Sequence, residues 1–301
     1  MKKRLTLLAA TAAAALVLTG CAGTDGGGDT GTDAPAEGET SGELFEVATD
    51  VDLEGSPTFD EMTERGSVKI GVKEDQPGLG YLDAATGERT GFDIEISKWI
   101  AASLGFAEDK IEFVAIPSAN RESAIVNGDI DYYVGTYSIT DKRKEQIDFA
   151  GPYFITGQGI LVAADNEDIK SEDDLAGTTV CSATGSTPIQ NIKDNFPDTD
   201  TEEFDTYSQC VEALNDGSVD AVTTDAAILI GYAAQDPDNL KVVGEPFTEE
   251  RYGVGLPKGD DALRAFINDM FTEGGDTWQA IYDATLGLSG TEVEQPAVDA
   301  Y

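Results

Sequence analysis

An α/β fold made of two similar lobes is predicted, and three observations predict it. The chain is 301 residues long, room for two domains of roughly 100–200 residues each. Aliphatic, aromatic and cysteine residues make up 40% of it, enough to build real cores. One unit also occurs twice: residues 124–134 (AIVNGDIDYYV) and 213–222 (ALNDGSVDAV) each read as a helix ending at a glycine, then a short β-rich run. The two strands run on into hydroxyl-bearing sequence, Gly135-Thr136-Tyr137-Ser138 in one copy and Thr223-Thr224-Asp225 in the other. Strand ends face the ligand crevice in open α/β sheets, so two such lobes would present these groups to each other.

The first residues stand apart from that fold. Lys2, Lys3 and Arg4 precede an apolar run over 5–18, closed by Gly20 and Cys21. A basic start, a short apolar stretch and small residues describe an export signal over 1–20, since a spanning helix needs about 20 apolar residues. Leu18-Thr19-Gly20-Cys21 resembles the bacterial lipobox, which places the cut before Cys21 and diacylglycerol on that cysteine, with palmitate as a further chain. The protein is therefore expected on the extracytoplasmic face of the cell membrane, anchored by acyl chains and not spanning it. Losing the three basic residues of the signal takes the formal charge from −39 to −42. Residues 22–60 hold 11 acids and no base among many Gly and Thr. Such a stretch cannot bury enough surface to fold, so 21–60 reads as an acidic disordered tether. The end, 289–301, has similar composition and reads as a loose tail.

Between them the elements suit α/β lobes. Residues 67–72 (SVKIGV) predict a first strand, and Ile96, Trp99, Ile100 and Leu104 recur at helical spacing until Gly105. Residues 175–180 (LAGTTV) lead into a strand, followed by Ser182-Ala183-Thr184-Gly185-Ser186-Thr187. That small-residue turn opens a helix whose free N–H groups suit a carboxylate. With Cys21 lipidated, Cys181 and Cys210 remain, and an exported pair favours a disulfide.

Composition also excludes chemistry. Against 58 Asp+Glu stand 19 Lys+Arg and no His. Nucleic acid needs a basic surface, so it is not an expected partner. The lack of His removes Ser-His-Asp and Cys-His catalysis and any His-liganded metal. No metal and no cofactor are expected.

Gly91-Phe92-Asp93-Ile94-Glu95-Ile96, followed by Ile100, Ala101 and Leu104, resembles the signature of family 3 extracellular solute-binding proteins, the polar amino-acid receptors of ABC importers. Ser138-Ile139-Thr140-Asp141-Lys142-Arg143, then Ile147-Asp148-Phe149-Ala150-Gly151-Pro152-Tyr153, resembles the second hallmark, a T-x-x-R turn followed by DF-x-x-PY. The stretches VCSATGSTP and VDAVTTDAAIL are similar to those of actinobacterial glutamate-binding lipoproteins. The resemblance implies a two-lobed, periplasmic-binding-protein-like (type II) fold with a two-strand hinge and a ligand cleft between the lobes. It places lobe 1 at 62–151 plus 246–287 and lobe 2 at 152–245. It also implies a monomer that closes on an amino acid and delivers it to permease subunits driven by a cytoplasmic ATPase.

Residue by residue, Arg143 matches the arginine that grips the ligand α-carboxylate, with Thr136 and Ser138 donating beside it. A guanidinium forks onto a carboxylate bidentately, and a cation early in a helix has no local motive there. Thr184 matches a contact to the same carboxylate, and Asp225 matches the acceptor of the α-ammonium. Arg121 stands where acidic-amino-acid receptors carry an arginine. Lys73 stands where glutamine or lysine receptors carry Asp, and Gln76 where an aromatic is usual. A cation in place of an acid favours an anionic side chain, so glutamate is the expected ligand ahead of aspartate or glutamine. Two rivals share the fold: a dehydratase using Glu74 or Asp75 as general acid, and an amino-acid-sensing module. No nucleophile–base pair supports the enzyme reading.

Overall fold

The computed structural model describes residues 44–289 and 293–301; the export signal, Cys21 and the tether up to residue 43 lie outside the described residues. In chain order the first part supplies helix α1 (Pro57–Arg65), strands β1 (Val68–Val72), β2 (Asp75–Gln76), β3 (Gly80–Leu82) and β4 (Arg89–Thr90), helix α2 (Phe92–Ser103), strand β5 (Ile111–Ala115), helix α3 (Arg121–Val126), strand β6 (Tyr132–Tyr133), helix α4 (Asp141–Lys144) and strand β7 (Asp148–Thr156). The middle supplies β8 (Gln158–Ala163), β9 (Thr179–Ala183), α5 (Thr187–Asn195), β10 (Asp200–Phe204), α6 (Tyr207–Asn215), β11 (Ala221–Asp225), α7 (Ala226–Gln235) and β12 (Leu240–Val243). The chain then adds β13 (Glu250–Leu256), α8 (Asp261–Glu273) and α9 (Gly275–Ala284).

Two five-stranded sheets result, ordered β5-β1-β6-β13-β7 and β10-β9-β11-β8-β12, beside a small ribbon β2-β3-β4. In the first, β1 runs parallel to β5 and β6, while β13 is antiparallel to β6 and β7. In the second, β9 runs parallel to β10 and β11, while β8 is antiparallel to β11 and β12. The chain leaves the first sheet after Thr156, enters the second at Gln158, and returns between Val243 and Glu250. Two crossings join two lobes.

The sequence repeat is a structural repeat. Gly128 and Gly217 take φ of 72° and 77°, the left-handed region that glycine enters without a Cβ penalty. The residue after each closes the helix end the same way: Asp129 N–H donates to Ala124 O (3.0 Å) and Ser218 N–H to Ala213 O (2.9 Å). Each unit then uses an Asp side chain to take an N–H of the neighbouring parallel strand, Asp131 from Lys69 (2.6 Å) and Asp220 from Thr179 (2.8 Å). The Cys181–Cys210 disulfide forms and ties β9 to α6.

Both ends of the body depart from the composition argument. The stretch expected as tether up to residue 60 is folded from at least residue 44: Leu44, Phe45, Val51 and Leu53 lie against the core, and Ala48 N–H donates to Ala102 O. The α1 helix starts inside that stretch, with Ser56 as N-cap accepting from Phe59 N–H (3.1 Å) and donating to buried Asp260 (2.8 Å). A few apolar anchors outweigh the acids around them, and average composition hides them. The tail shows the same. It has no regular structure over 293–301, yet Asp299 N–H donates to Gly151 O (3.0 Å), Gln295 donates to Phe271 O (2.7 Å), and Tyr301 lies under Lys144 and Arg264.

Candidate functional site

The first lobe brings three cations to one wall. Lys73 follows β1, Arg121 opens α3 and Arg143 sits in α4, and they are only 4%, 2% and 7% exposed. Ser118 holds two of them, its hydroxyl accepting from Lys73 Nζ (2.8 Å) and its carbonyl from Arg121 Nε (3.2 Å). Arg121 also donates to Thr136 O (3.2 Å). Both guanidinium groups lie over the Tyr137 ring, that of Arg121 4.3 Å and that of Arg143 4.9 Å from its centre, so a π-face offsets part of their like charge. Burial, with Arg121 and Arg143 nearby, pushes Lys73 down to about 7.

Arg143 is part-committed. Its Nε meets Glu122 (3.1 Å), and its two terminal nitrogens donate to Ser138 O (2.6 Å) and Gly185 O (3.1 Å). A guanidinium has five N–H groups, so one remains on each terminal nitrogen, the pair that a carboxylate takes bidentately. Burial holds the Arg143 pKa below the ordinary value.

The two family hallmarks meet behind this wall. Asp93 of α2 is fully buried and accepts from Thr136 N–H (2.9 Å) and from the Tyr153 hydroxyl (2.8 Å). Thr136 has φ of 46°, rare for a β-branched residue, and the Asp93 bond holds that turn. Burial raises Asp93 to about 6. Thr136 in turn donates through its hydroxyl to Gln76 Oε1 (3.2 Å), while the fully buried Gln76 Nε2 has no partner among the described residues.

The second lobe brings acid. Asp225 ends β11 at the N-cap position of α7 but makes no capping bond. Its Oδ2 accepts from the Tyr252 hydroxyl (2.6 Å), and its buried Oδ1 has no partner among the described residues. Burial first, and then the nearby Glu250, raise Asp225 to about 8, while Tyr252, Arg121 and Arg143 pull the other way. An orphaned buried acceptor is costly unless a donor arrives.

The lobes touch across the cleft. A Cβ on Gly185 would lie 2.7 Å from Ala119 Cα, and one on Gly231 would lie 2.2 Å from Pro77 O. Asp75 of β2 accepts from Tyr207 and Ser208 N–H at the start of α6 (2.8 and 3.3 Å), and the Tyr232 hydroxyl donates to the Asp75 carbonyl. A cavity of about 720 Å³, bordered by Ser118, Glu122, Arg143, Gly185, Ser186 and Thr187, opens at the mouth.

Lys73, Arg121, Thr136, Ser138, Arg143 and Asp225 thus come to one region. Thr184 does not present a free hydroxyl: it donates to Phe204 O (3.2 Å). Thr187, three residues on, instead lies 3.3 Å from the Ser138 hydroxyl and 2.8 Å from Glu250. Glu250, Glu122, Gln76 and Asp93 were not singled out as site residues from the sequence. Only the spacing of Glu250 and Tyr252, two apart on one strand face, hinted at a shared direction. The acids proposed for a dehydratase are spent elsewhere: Glu74 is exposed beside Arg89 (3.3 Å), and Asp75 caps α6. Among the described residues no group of His, Cys, Asp and Glu could hold a metal, and no helix is long and apolar enough to cross a membrane.

Two lobes joined by two crossings, with buried polar groups aimed between them, define a solute receptor of the type II periplasmic-binding class. Residues 68–287 match the bacterial extracellular solute-binding proteins, family 3, and the chain belongs to that family. It is similar to the glutamate-binding protein GluB of Corynebacterium glutamicum, 42% identical over 258 residues (81% of this chain, 86% of the relative). A glutamine-binding protein of Geobacillus stearothermophilus is 40% identical over 204 residues (68% and 78%). Among solved structures, the L-cysteine receptor of Neisseria gonorrhoeae superposes with a TM-score of 0.72 at 30% identity, covering 81% of this chain and 99% of that one. An ancestral arginine-binding protein bound to arginine gives 0.67 at 35% identity, covering 74% and 99%.

Proposed function

We propose that this protein is the lipid-anchored receptor of an amino-acid ABC importer, that it closes on L-glutamate, and that it passes the ligand to a membrane permease. The charge arrangement of the cleft carries this reading. An amino-acid zwitterion would use Arg143 for its α-carboxylate and Asp225 for its α-ammonium. Lys73 and Arg121 then remain buried against neutral partners, Ser118, the Thr136 carbonyl and the Tyr137 ring, and a second ligand carboxylate would neutralise them. Similarity to GluB supports the same ligand. Lobe 1 is taken to run through Thr156 and to resume at Glu250, with lobe 2 between, rather than 62–151 plus 246–287 and 152–245. Thr184 and Thr187, whose hydroxyls donate to Phe204 O and to Glu250, are not assigned to the α-carboxylate.

Glutamine is the second reading, because a Lys73 pushed down to about 7 is partly neutral and tolerates an amide. A calorimetric screen of the twenty amino acids on the mature chain tests both. The account expects glutamate first and glutamine or aspartate next; arginine or cystine in first place would overturn the acidic ligand while leaving the family intact. Anchoring is checked separately: Cys21→Ala is expected to abolish labelling by fatty acid, and retained label would refute the lipobox.

A further inference from the structure

We propose that Glu250 is a second carboxylate of the ammonium subsite, whose presence keeps on Asp225 a proton that leaves when the ligand's α-ammonium arrives. The inference rests on the amino-acid reading above and extends it to a residue outside that reading. Glu250 opens β13 and is 6% exposed. It stands two residues before Tyr252, so both side chains leave the strand on one face, and the Tyr252 hydroxyl is bonded to Asp225. Glu250 accepts from Thr187 (2.8 Å) and Thr248 (3.4 Å), both neutral hydroxyls. Two buried carboxylates thus stand beside the Tyr252 side chain, and among the described residues neither forms an ion pair.

Like-charged acids held together out of water do not both ionise; one keeps a proton until a cation replaces it. The groups facing the pair are Tyr252 on β13, Tyr207 on α6, Arg121 on α3 and Arg143 on α4, with Asp93 and Tyr153 behind Tyr252. The two arginines favour ionisation of Asp225, but burial and Glu250 outweigh them. Before binding, Asp225 keeps a proton. Afterwards it is ionised against the ammonium, and the proton has passed to buffer. Such a pair also rejects the 2-oxo acid of the same carbon skeleton, which brings no cation to displace the proton.

The test is calorimetry at pH 7 with L-glutamate and L-glutamine, each in phosphate and in Tris, whose ionisation enthalpies differ, on wild type and Glu250→Gln. The amide keeps the acceptor for Thr187 and removes the charge. With Asp225 at about 8, glutamine binding to wild type should release roughly 0.9 proton, falling to about 0.5 in the variant if its pKa drops by about one unit. Glutamate releases less, because Lys73 takes up part of a proton, but shows the same fall. Equal release by wild type and variant overturns the proposal and leaves the amino-acid reading standing. Binding of neither amino acid overturns both. Should the variant fail to fold, wild type alone decides: its glutamine affinity should rise from pH 6 to pH 8, and a flat profile overturns the proposal.

Discussion

The two halves of the repeat have the same backbone and opposite electrostatics. In each, a helix ends at a left-handed glycine, the next residue closes the helix, and an Asp takes an N–H from the neighbouring parallel strand. Beyond that point the copies part. The first runs through Thr136 into a wall holding Lys73, Arg121 and Arg143; the second ends at Asp225, with Glu250 nearby. One supersecondary unit has been used twice as scaffold, and the residues just past its strand decide the charge of each wall. A zwitterion fits between because its own two charges repeat that difference.

Removing either wall's anchor should have the largest effect. Arg143→Ala and Asp225→Asn each remove one partner of a desolvated charge pair, which typically costs about 2–5 kcal/mol, or roughly 30- to several-thousand-fold in affinity. Both should weaken every amino-acid ligand alike, and calorimetry with glutamate and glutamine measures this. A variant that loses only one of the two ligands would break the division of labour between the walls.

A smaller loss should follow from keeping the walls apart. Gly231→Ala puts a methyl 2.2 Å from Pro77 O, a clash that exists only with the lobes together. Overpacking costs typically about 1–3 kcal/mol, roughly 5- to 150-fold in affinity. Scattering should show a wider apo and ligand-mixed ensemble, with thermal stability near wild type. A wild-type affinity would mean that Gly231 and Pro77 do not meet in the bound state.

Smaller still is the Asp75 contact. Asp75→Asn keeps an oxygen for the Tyr207 and Ser208 N–H groups and removes a charge from the start of α6, worth about 0.3–1 kcal/mol. Affinity should fall two- to fivefold for glutamate and glutamine together. No change would assign the closure energy to the ligand contacts alone.

The scaffold was more legible than the site. Glycine caps, the strand periodicity and the hallmark motifs are local signals, and Gly128, Gly217, Arg143 and Asp225 could be read from them. The Thr136 turn is different: its left-handed φ depends on Asp93, 43 residues away, and no local pattern displays that bond. Thr184 is assigned from the resemblance alone, and sequence does not display that Phe204 O takes its hydroxyl. In sequence Glu250 is one more acid among 58 Asp+Glu, and what sets it apart is burial beside the Tyr252–Asp225 bond, which no local pattern displays. The folded stretch from residue 44 was missed for the opposite reason: its few apolar anchors are averaged away by the acids beside them.

The central claim is that the cationic wall reads a second carboxylate, and Lys73 tests it most directly. Lys73→Met keeps the stem and removes the charge, leaving only the Ser118 hydroxyl without its donor. Glutamate and glutamine affinities should be compared on wild type and variant at pH 6.5 and pH 8.5, either side of the lowered Lys73 pKa of about 7. Protonated Lys73 favours the anion, so the wild-type preference for glutamate over glutamine should shrink as pH rises, by roughly tenfold at most per pH unit above that pKa. In Lys73→Met the preference should be smaller at pH 6.5 and independent of pH. Equal losses for both ligands, or a wild-type preference that does not change with pH, would contradict the account.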